Sequence, residues 1–390
     1  MINNYQKAMS CAAESSENSI EIGIAITPSE KREVYHLRYQ IYIEEMSKQL
    51  GNTDYVNKLL YDELDEWTVL LYAKIGSELI GTARINIGTL AQFPQEIVDF
   101  LSLDTFQDFY TEHSDHKFAY TGKLMIAPAY RSSSALYLLM VKGYEVFCSN
   151  QIQFAFGSSN FHLLRLYEQM GFRRYSKNFV ESGYGLLTPF ILVVNDIDHF
   201  RTVRSPFFRI ARKRGAVNMQ AVEWFHANFT KNSPVINSQI VTEEELWTVL
   251  CKRLASPPTE AIAILHKLSV SEAKKFIHCC GAYVQCDSGD IITNQSDVSY
   301  SYNILISGRL KSLTFHRPVK EYTIPGQHFG ANGLTELTKH TEDIAAMDSV
   351  EILVLSGLAF QRFFHSHPEI AHKIVQSMIS LTRSKPLRIK

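Results

Sequence analysis

The residues best suited to chemistry lie around one turn. Lys123, Leu124, Met125 and Ile126 form an apolar run that reads as a strand, and the stretch APAYRSSSALYLL follows at Ala127–Leu139. A strand, a tight turn of small residues and a helix start form a common anion-holding arrangement, because backbone N–H groups converge there. The usual glycines are absent, and Ser132, Ser133 and Ser134 stand in their place after Arg131. Serine donates a hydroxyl hydrogen bond but lacks glycine's close backbone approach and its freedom at positive φ. A pyrophosphate is therefore gripped less tightly. At this level it stays open whether the serines contact a single phosphate or only start the helix.

Aminolysis of a thioester would use such parts. The amine must lose a proton, the carbonyl oxygen needs donors, and the departing thiolate needs a proton or a positive neighbour. Strand N–H groups near Leu124–Ile126 can face an oxyanion, and Tyr167, in LYEQMGF, sits on a helix just before a strand. Taken alone, Tyr167 reads equally as a core aromatic or as a proton donor. Asp62 and Asp65, in YDELDEW, read on their own as solvated loop acids, and Arg84 as a strand-end ion-pair residue.

The elements that must position these residues follow from pattern. IEIGIAI alternates as a strand, and Thr27, Pro28 and Glu30 then form a capping box opening a helix with Val34, Leu37 and Ile41 on one face. WTVLLYAKIGSELIGTARINI is two strands joined at Gly76–Ser77. Helices fit PQEIVDFL, SSALYLLMVKGYEVFCSN and FHLLRLYEQMG, and strands fit IQFAFGSS and TPFILVVND. The sum is a mixed α/β domain ending near residue 200. Thr242 and Glu245 open a later helix. From Gly281 short strands alternate with turns, as in a small β-barrel or roll, and the last stretch is helical.

Composition sets the outer bounds. The chain has 390 residues, 45% hydrophobic and 20% charged, with a formal net charge of −1. That is globular and long enough for two or three domains, and it carries no overall field for nucleic acid. Six cysteines occur without C-x-x-C or zinc-ligand spacing, which predicts free thiols, a reducing cytoplasm and no metal. No apolar run reaches the length of a membrane span. Arg201–Arg214 is locally basic, a solvated helix or a docking site for an acidic partner.

KLMIAPAYRSSSALYLLM with NFHLLRLYEQMGFRRY resembles the core of the Gcn5-related N-acetyltransferase superfamily, over roughly residues 20–200. LRYQIYIEEM and YDELDEWTVLLYAKIGSELIGTARI resemble the acyl-homoserine lactone synthases and, more closely, the long-chain N-acyl amino acid synthases. The resemblance implies catalytic roles for Asp62, Asp65, Arg84 and Tyr167. It implies acceptor binding by Arg38, Tyr39 and Trp67, and donor binding by Lys123–Ile126 and Arg131–Ser134. Asp62 and Asp65 would orient or deprotonate the amine while Arg84 and Arg38 fix a carboxylate. The lactone synthases carry a Glu-x-x-Arg pair where this chain has Tyr120 and Lys123, which argues against lactone formation. The poor phosphate turn favours acyl carrier protein over acyl-CoA as donor, with residues 201–214 docking the carrier.

GDIITNQSDVSYSYNILISGRLKSL and IPGQHFGANGLTELTKHTEDIAAMDSVEILVLS resemble the cyclic nucleotide-binding domain. Its working cassette has Phe-Gly-Glu and an Arg for the cyclic phosphate. Here Phe329 and Gly330 fit, Ala331 replaces the Glu, and His340 stands in place of the Arg. The resemblance therefore implies a regulatory or packing module without cyclic nucleotide.

The expected organisation is a tail at 1–19, an acyltransferase domain at 20–215, a helical linker at 216–257 and the nucleotide-domain-like β-roll at 258–390. The expected activity is transfer of a long acyl chain from a pantetheine thioester to the amine of a small acceptor such as an amino acid, with no permanently bound cofactor. Two alternatives stay open: a cyclic-nucleotide-gated lysine acetyltransferase using acetyl-CoA, and a non-catalytic sensor or scaffold. Homodimer formation is also open.

Overall fold

The computed structural model describes residues 19–110, 117–214, 218–229, 236–313 and 319–383. The expected tail at 1–19 lies outside them except for its last residue. The chain forms two compact units, interleaved in sequence: Met1–Gly157, Ile191–Ile197 and Pro206–Trp224, and Ser158–Phe190, Asp198–Ser205 and Phe225–Lys390.

The first unit begins with β1 (Glu21–Ile24) and α1 (Pro28–Tyr39). The expected capping box is present: Thr27 Oγ1 accepts from Glu30 N at 3.3 Å, and Glu30 Oε2 accepts from Thr27 N at 2.9 Å. Val34 and Leu37 are buried, and the helix continues as a π-helical segment, Gln40–Glu45, that also buries Ile41. Periodicity at 3.6 residues gives no warning of that change of pitch. β2 (Thr68–Ile75) and β3 (Glu78–Gly88) form the expected hairpin, with Gly76 at φ +59° in the left-handed region.

β4 (Phe118–Ile126) pairs antiparallel with β3 and parallel with β5 (Phe154–Ser159). The strand order is β1-β2-β3-β4-β5, a mixed sheet. Helix α2 (Ala135–Ser149) lies close on it: a Cβ added to Gly143 would sit 3.4 Å from Ile85 Cδ1. An aromatic cluster fills the space beneath, with Phe106 within 4.8–5.4 Å of Phe154, Phe156 and Trp224, ring centre to ring centre.

β4 is irregular in two places. Thr82 faces Met125 and Arg84 faces Gly122, so one residue of β3 opposes two of β4, and Lys123–Leu124 form a bulge. On its other side β4 pairs with β5 only at Ala119 and Tyr120. From Thr121 onward that edge of the strand has no partner in β5.

The second unit contains α3 (Leu164–Met170), β6 (Arg173–Arg174), β7 (Phe179–Glu181) and most of β8 (Gly185–Val193), with β7 antiparallel to β8. Helices α4 (Glu243–Leu254) and α5 (Val270–Cys280) follow, α4 with the expected Thr242–Glu245 box. The β-roll is built from β9 (Gly281–Cys286), β10 (Ile291–Thr293), β11 (Ser301–Ser307), β12 (Leu310–Ser312), β13 (Glu321–Tyr322), β14 (His328–Phe329), β15 (Ile344–Ala346) and β16 (Val350–Ser356). They form two four-stranded sheets, β9-β16-β11-β14 and β10-β15-β12-β13. β14 is too short for periodicity to reveal.

The roll does not complete its core alone. Phe161, Leu164 and Leu186 join Val284, Leu305, Phe329, Val350 and Ile352 in one buried cluster. Outside it, α5 packs with α6 (Gly357–Ser366) and α7 (Pro368–Arg383) through Phe276, Phe360 and Phe363. A buried ion pair fixes the join. Glu168 Oε1 accepts from Arg174 Nε at 2.8 Å, and Arg174 Nη1 and Nη2 donate to the carbonyls of Tyr283 and Ile236, both at 2.7 Å.

Removing one partner of a buried pair typically costs about 3–5 kcal/mol, because the other charge is left uncompensated. Arg174→Ala is therefore expected to lower unfolding stability in urea by that order. A loss under about 1 kcal/mol, the scale of an exposed pair, contradicts a fastening role for the pair.

Candidate active site

The site is organised by a short acidic turn. Asp62 opens a 3-10 turn, Glu63–Trp67, and its Oδ1 accepts from Leu64 N at 3.1 Å. Asp65 returns the contact, its Oδ2 accepting from Asp62 N at 2.9 Å. The last turn of α1 brings Arg38, whose Nη1 lies 2.8 Å from both Asp65 oxygens. From β3, Arg84 Nη1 bonds Asp62 Oδ1 and lies 3.5 Å from Asp65 Oδ2. Asn86, two residues along and hence on the same strand face, donates to the Leu64 carbonyl at 2.7 Å and anchors the turn.

Burial alone pushes the Asp65 carboxyl up, but Arg38 and Arg84 overcome it and hold the group below its ordinary range. Burial likewise opposes the charge on Arg84, and Asp62 and Asp65 outweigh it. Arg38 has no exposed surface, and its Nε and Nη2, like Arg84 Nε, have no hydrogen-bond partner among the described residues. Tyr35 lies under the Arg38 guanidinium, 5.5 Å from ring centre to Cζ.

The bulge adds a third cation. Lys123 has φ +52°, a left-handed conformation that costs a residue with a Cβ about 1–2 kcal/mol. Its Nζ lies 4.0 Å from Asp62 Oδ2 and 5.4 Å from the centre of the Tyr42 ring. The Asp62 side chain keeps 23% of its surface exposed, against 2% for Asp65. Gly122 lies opposite Arg84, and a Cβ there would be in ordinary contact with Tyr120, 3.8 Å away.

The expected site residues therefore divide by burial. Asp62 and Lys123 keep exposed surface, whereas Asp65 and Arg38 are buried and committed to each other. Tyr39 is buried with its ring edge-on to Tyr55, and Trp67 packs edge-on to Phe93, 5.2 Å away. Tyr167 belongs to the second unit, where its ring stacks on Phe190 at 4.3 Å.

Of the residues expected to bind the donor, Leu124 belongs to the bulge, and Met125 and Ile126 carry β4 onward past its pairing with β5. Arg131 is a tie: its Nη1 and Nη2 meet Glu45 at 2.7 and 2.6 Å, and its Nε donates to the Ile126 carbonyl at 3.2 Å. Ser133 starts α2, with its hydroxyl donating to the Tyr130 carbonyl and accepting from Ala135 N. Ser132 and Ser134 are exposed, with no hydroxyl bond among the described residues.

Sequence reasoning missed Asn86, Tyr42 and Glu45. The two-residue spacing from Arg84 could have flagged Asn86. Glu45 pairs with a residue 86 positions away, and no local pattern signals that.

At the residues of the β-roll expected to form a degenerate nucleotide cassette, His340 contacts the Gly330–Ala331 backbone. His340 Nδ1 accepts from Ala331 N at 3.0 Å, and a Cβ on Gly330, whose φ is +76°, would touch the same ring at 3.0 Å. Among the described residues no cluster could hold a metal ion, the cysteines form no disulfide, and no helix is long and apolar enough to cross a membrane.

Residues 37–141 match the acetyltransferase (GNAT) domain family, so this part of the chain is a domain of GNAT type. No curated protein sequence matches the chain. Among solved structures it is similar to FeeM, an N-acyl amino acid synthase from uncultured soil microbes, at 13% identity, with 49% of this chain and 98% of that one covered and a TM-score of 0.39. It is also similar to a cyclic nucleotide-binding domain from Methylobacillus flagellatus, at 12% identity, covering 36% and 76% with a TM-score of 0.28. At such identities the likeness concerns fold alone.

The Asp65 clamp has a pH signature. A carboxyl held below its ordinary value of 3.8 supplies stability above that pH and loses it as pH falls through the folded value. The unaltered chain should lose stability below about pH 4 more steeply than Asp65→Asn, which should already be weaker at neutral pH. Superimposable slopes in urea unfolding across that range contradict the clamp.

Proposed function

We propose that the chain transfers an acyl group from a pantetheine thioester to the amine of a small acceptor carrying an anionic group, such as an amino acid. One observation carries this reading: a rigid acid–arginine network abuts a bulged strand whose far edge is unpaired beyond Tyr120. The network holds three cations, Arg38, Arg84 and Lys123, against two anions, Asp62 and Asp65, and so carries a surplus of one positive charge. An acceptor carboxylate matches that surplus.

Asp62, the more exposed acid, orients the amine and takes its proton. Backbone N–H groups at Leu124–Ile126 face the carbonyl oxygen as it becomes negative. The pantetheine arm lies along the unpaired edge of β4. With Arg131 tied to Glu45 and Ser133 engaged in starting α2, little is left to grip a nucleotide pyrophosphate. This favours acyl carrier protein over acyl-CoA. Within the expected 201–214 segment, Arg209, Arg212, Lys213 and Arg214 of the first unit are exposed, as docking of an acidic carrier requires. The β-roll serves as a packing or regulatory module.

Acyl transfer to free amino acids, followed by mass spectrometry with carrier-bound and CoA-bound donors, tests the reading. Carrier-bound chains are expected to turn over faster, and Asp62→Asn to lower kcat by about 10²–10⁴ without unfolding the protein. Turnover with acyl-CoA alone rejects the carrier; an unchanged kcat in Asp62→Asn rejects its role. Calorimetric titration with cyclic AMP and cyclic GMP is expected to give no heat, and micromolar affinity would overturn the self-closed cassette.

A further inference from the structure

The turn that follows β4 is flanked by acids. Its cation is Arg131, whose guanidinium is engaged at all three nitrogens. Nε donates to the Ile126 carbonyl at 3.2 Å, and Nη1 and Nη2 meet the two Glu45 oxygens at 2.7 and 2.6 Å. The neighbouring Tyr130 donates its hydroxyl to Glu78 Oε2 at 2.6 Å. Among these side chains one cation stands against two anions.

Glu45 ends the π-helical segment Gln40–Glu45, whose wide turn carries a bond from Met46 N to the Ile41 carbonyl at 2.9 Å. Three residues earlier in the same segment, Tyr42 lies under the Lys123 ammonium. The segment thus meets the acid–arginine network at one point and the turn at another, and π-helical turns are frequent at functional sites. The Arg131 side chain keeps 31% of its surface exposed and that of Glu45 keeps 21%. The pair is therefore within reach of an incoming ligand.

We propose that Glu45 is a donor-specificity residue: its carboxylate occupies the guanidinium fork that a nucleotide pyrophosphate would take, and so disfavours acyl-CoA against a donor arm with a single phosphodiester. This rests on the reading of the turn as the thioester-donor site and names the residue that selects the donor there. A guanidinium fork holds a carboxylate and a phosphate by the same pair of parallel N–H bonds. Glu45 and a phosphate thus compete for one place. The Glu45 and Glu78 carboxylates also repel a polyanion, and the repulsion grows with its charge. A site selects one ligand by setting repulsion against another. A carrier-bound arm, with one phosphodiester charge, loses least.

Calorimetric titration of the full chain with CoA tests this. Glu45→Gln keeps the shape of the side chain, removes its charge and weakens its hold on the fork. CoA should bind that variant about tenfold or more tightly than the unaltered chain. Dephospho-CoA, which keeps the pyrophosphate and lacks the ribose phosphate, should gain alike. Adding Arg131→Gln to Glu45→Gln should cancel the gain. In turnover, the ratio of kcat/KM for acyl-CoA over the carrier-bound donor should rise by a similar factor in Glu45→Gln, a change that a merely structural pair would not produce. Thermal melts check folding, and Glu45→Ala takes the place of Glu45→Gln if the latter is unfolded. CoA affinity equal in the unaltered chain and Glu45→Gln, no heat from millimolar CoA with Glu45→Gln, a gain confined to CoA, a gain that survives Arg131→Gln, or an unchanged donor ratio each overturns the proposal while acyl transfer stands. No turnover by the unaltered chain with either donor strikes the acyl-transfer reading itself, and the proposal with it.

Discussion

The first unit depends on one buried carboxylate. Asp65 accepts from Arg38 of α1, lies near Arg84 of β3 and accepts from the backbone of Asp62. Three elements distant in sequence are thereby fixed around a turn of five residues. A lone carboxylate this deep would be protonated; two guanidinium groups keep it charged. In return it keeps the guanidinium of fully buried Arg38 compensated. Neither partner is tolerable without the other.

That constraint shapes the exposed part of the site. With Asp65 and Arg38 committed inward, Asp62 presents its second oxygen outward to Lys123. The bulge in β4 places that lysine beside Asp62 at a backbone cost. The bulge also sets Leu124 out of register just where the strand has lost its partner on the other edge. Acid, cation and strand N–H groups are brought together by one irregularity in one strand.

The second unit follows a different rule. A β-roll of short strands leaves part of its core open, and Phe161, Leu164 and Leu186 fill it. Glu168 and Arg174 then fasten α3 and β6 to the roll through two backbone carbonyls. At the segment expected to form a nucleotide cassette, His340 accepts from the Ala331 amide. The roll is thus integrated with α3, the helix that carries Tyr167.

By itself the sequence determined the local elements and the kinds of chemistry available. The capping boxes at Thr27 and Thr242, the hairpin at Gly76 and the alternating strands of the roll are set by neighbours a few residues apart, so pattern reads them correctly. The family resemblance it carries singled out Asp62, Asp65, Arg84 and Tyr167 as expected catalytic residues, Arg38 for the acceptor and Lys123 for the donor. Only the tertiary structure decided which of them are buried and which pair with which, because exposure and charge pairing depend on distant partners. Arg131 turned out to be tied to Glu45 and Ser133 to the start of α2, while Ser132 and Ser134 stayed exposed. The interleaving of the two units has the same origin. Core filling is a matter of volume and proximity, and Leu164 or Leu186 carries no local mark of which core it will complete.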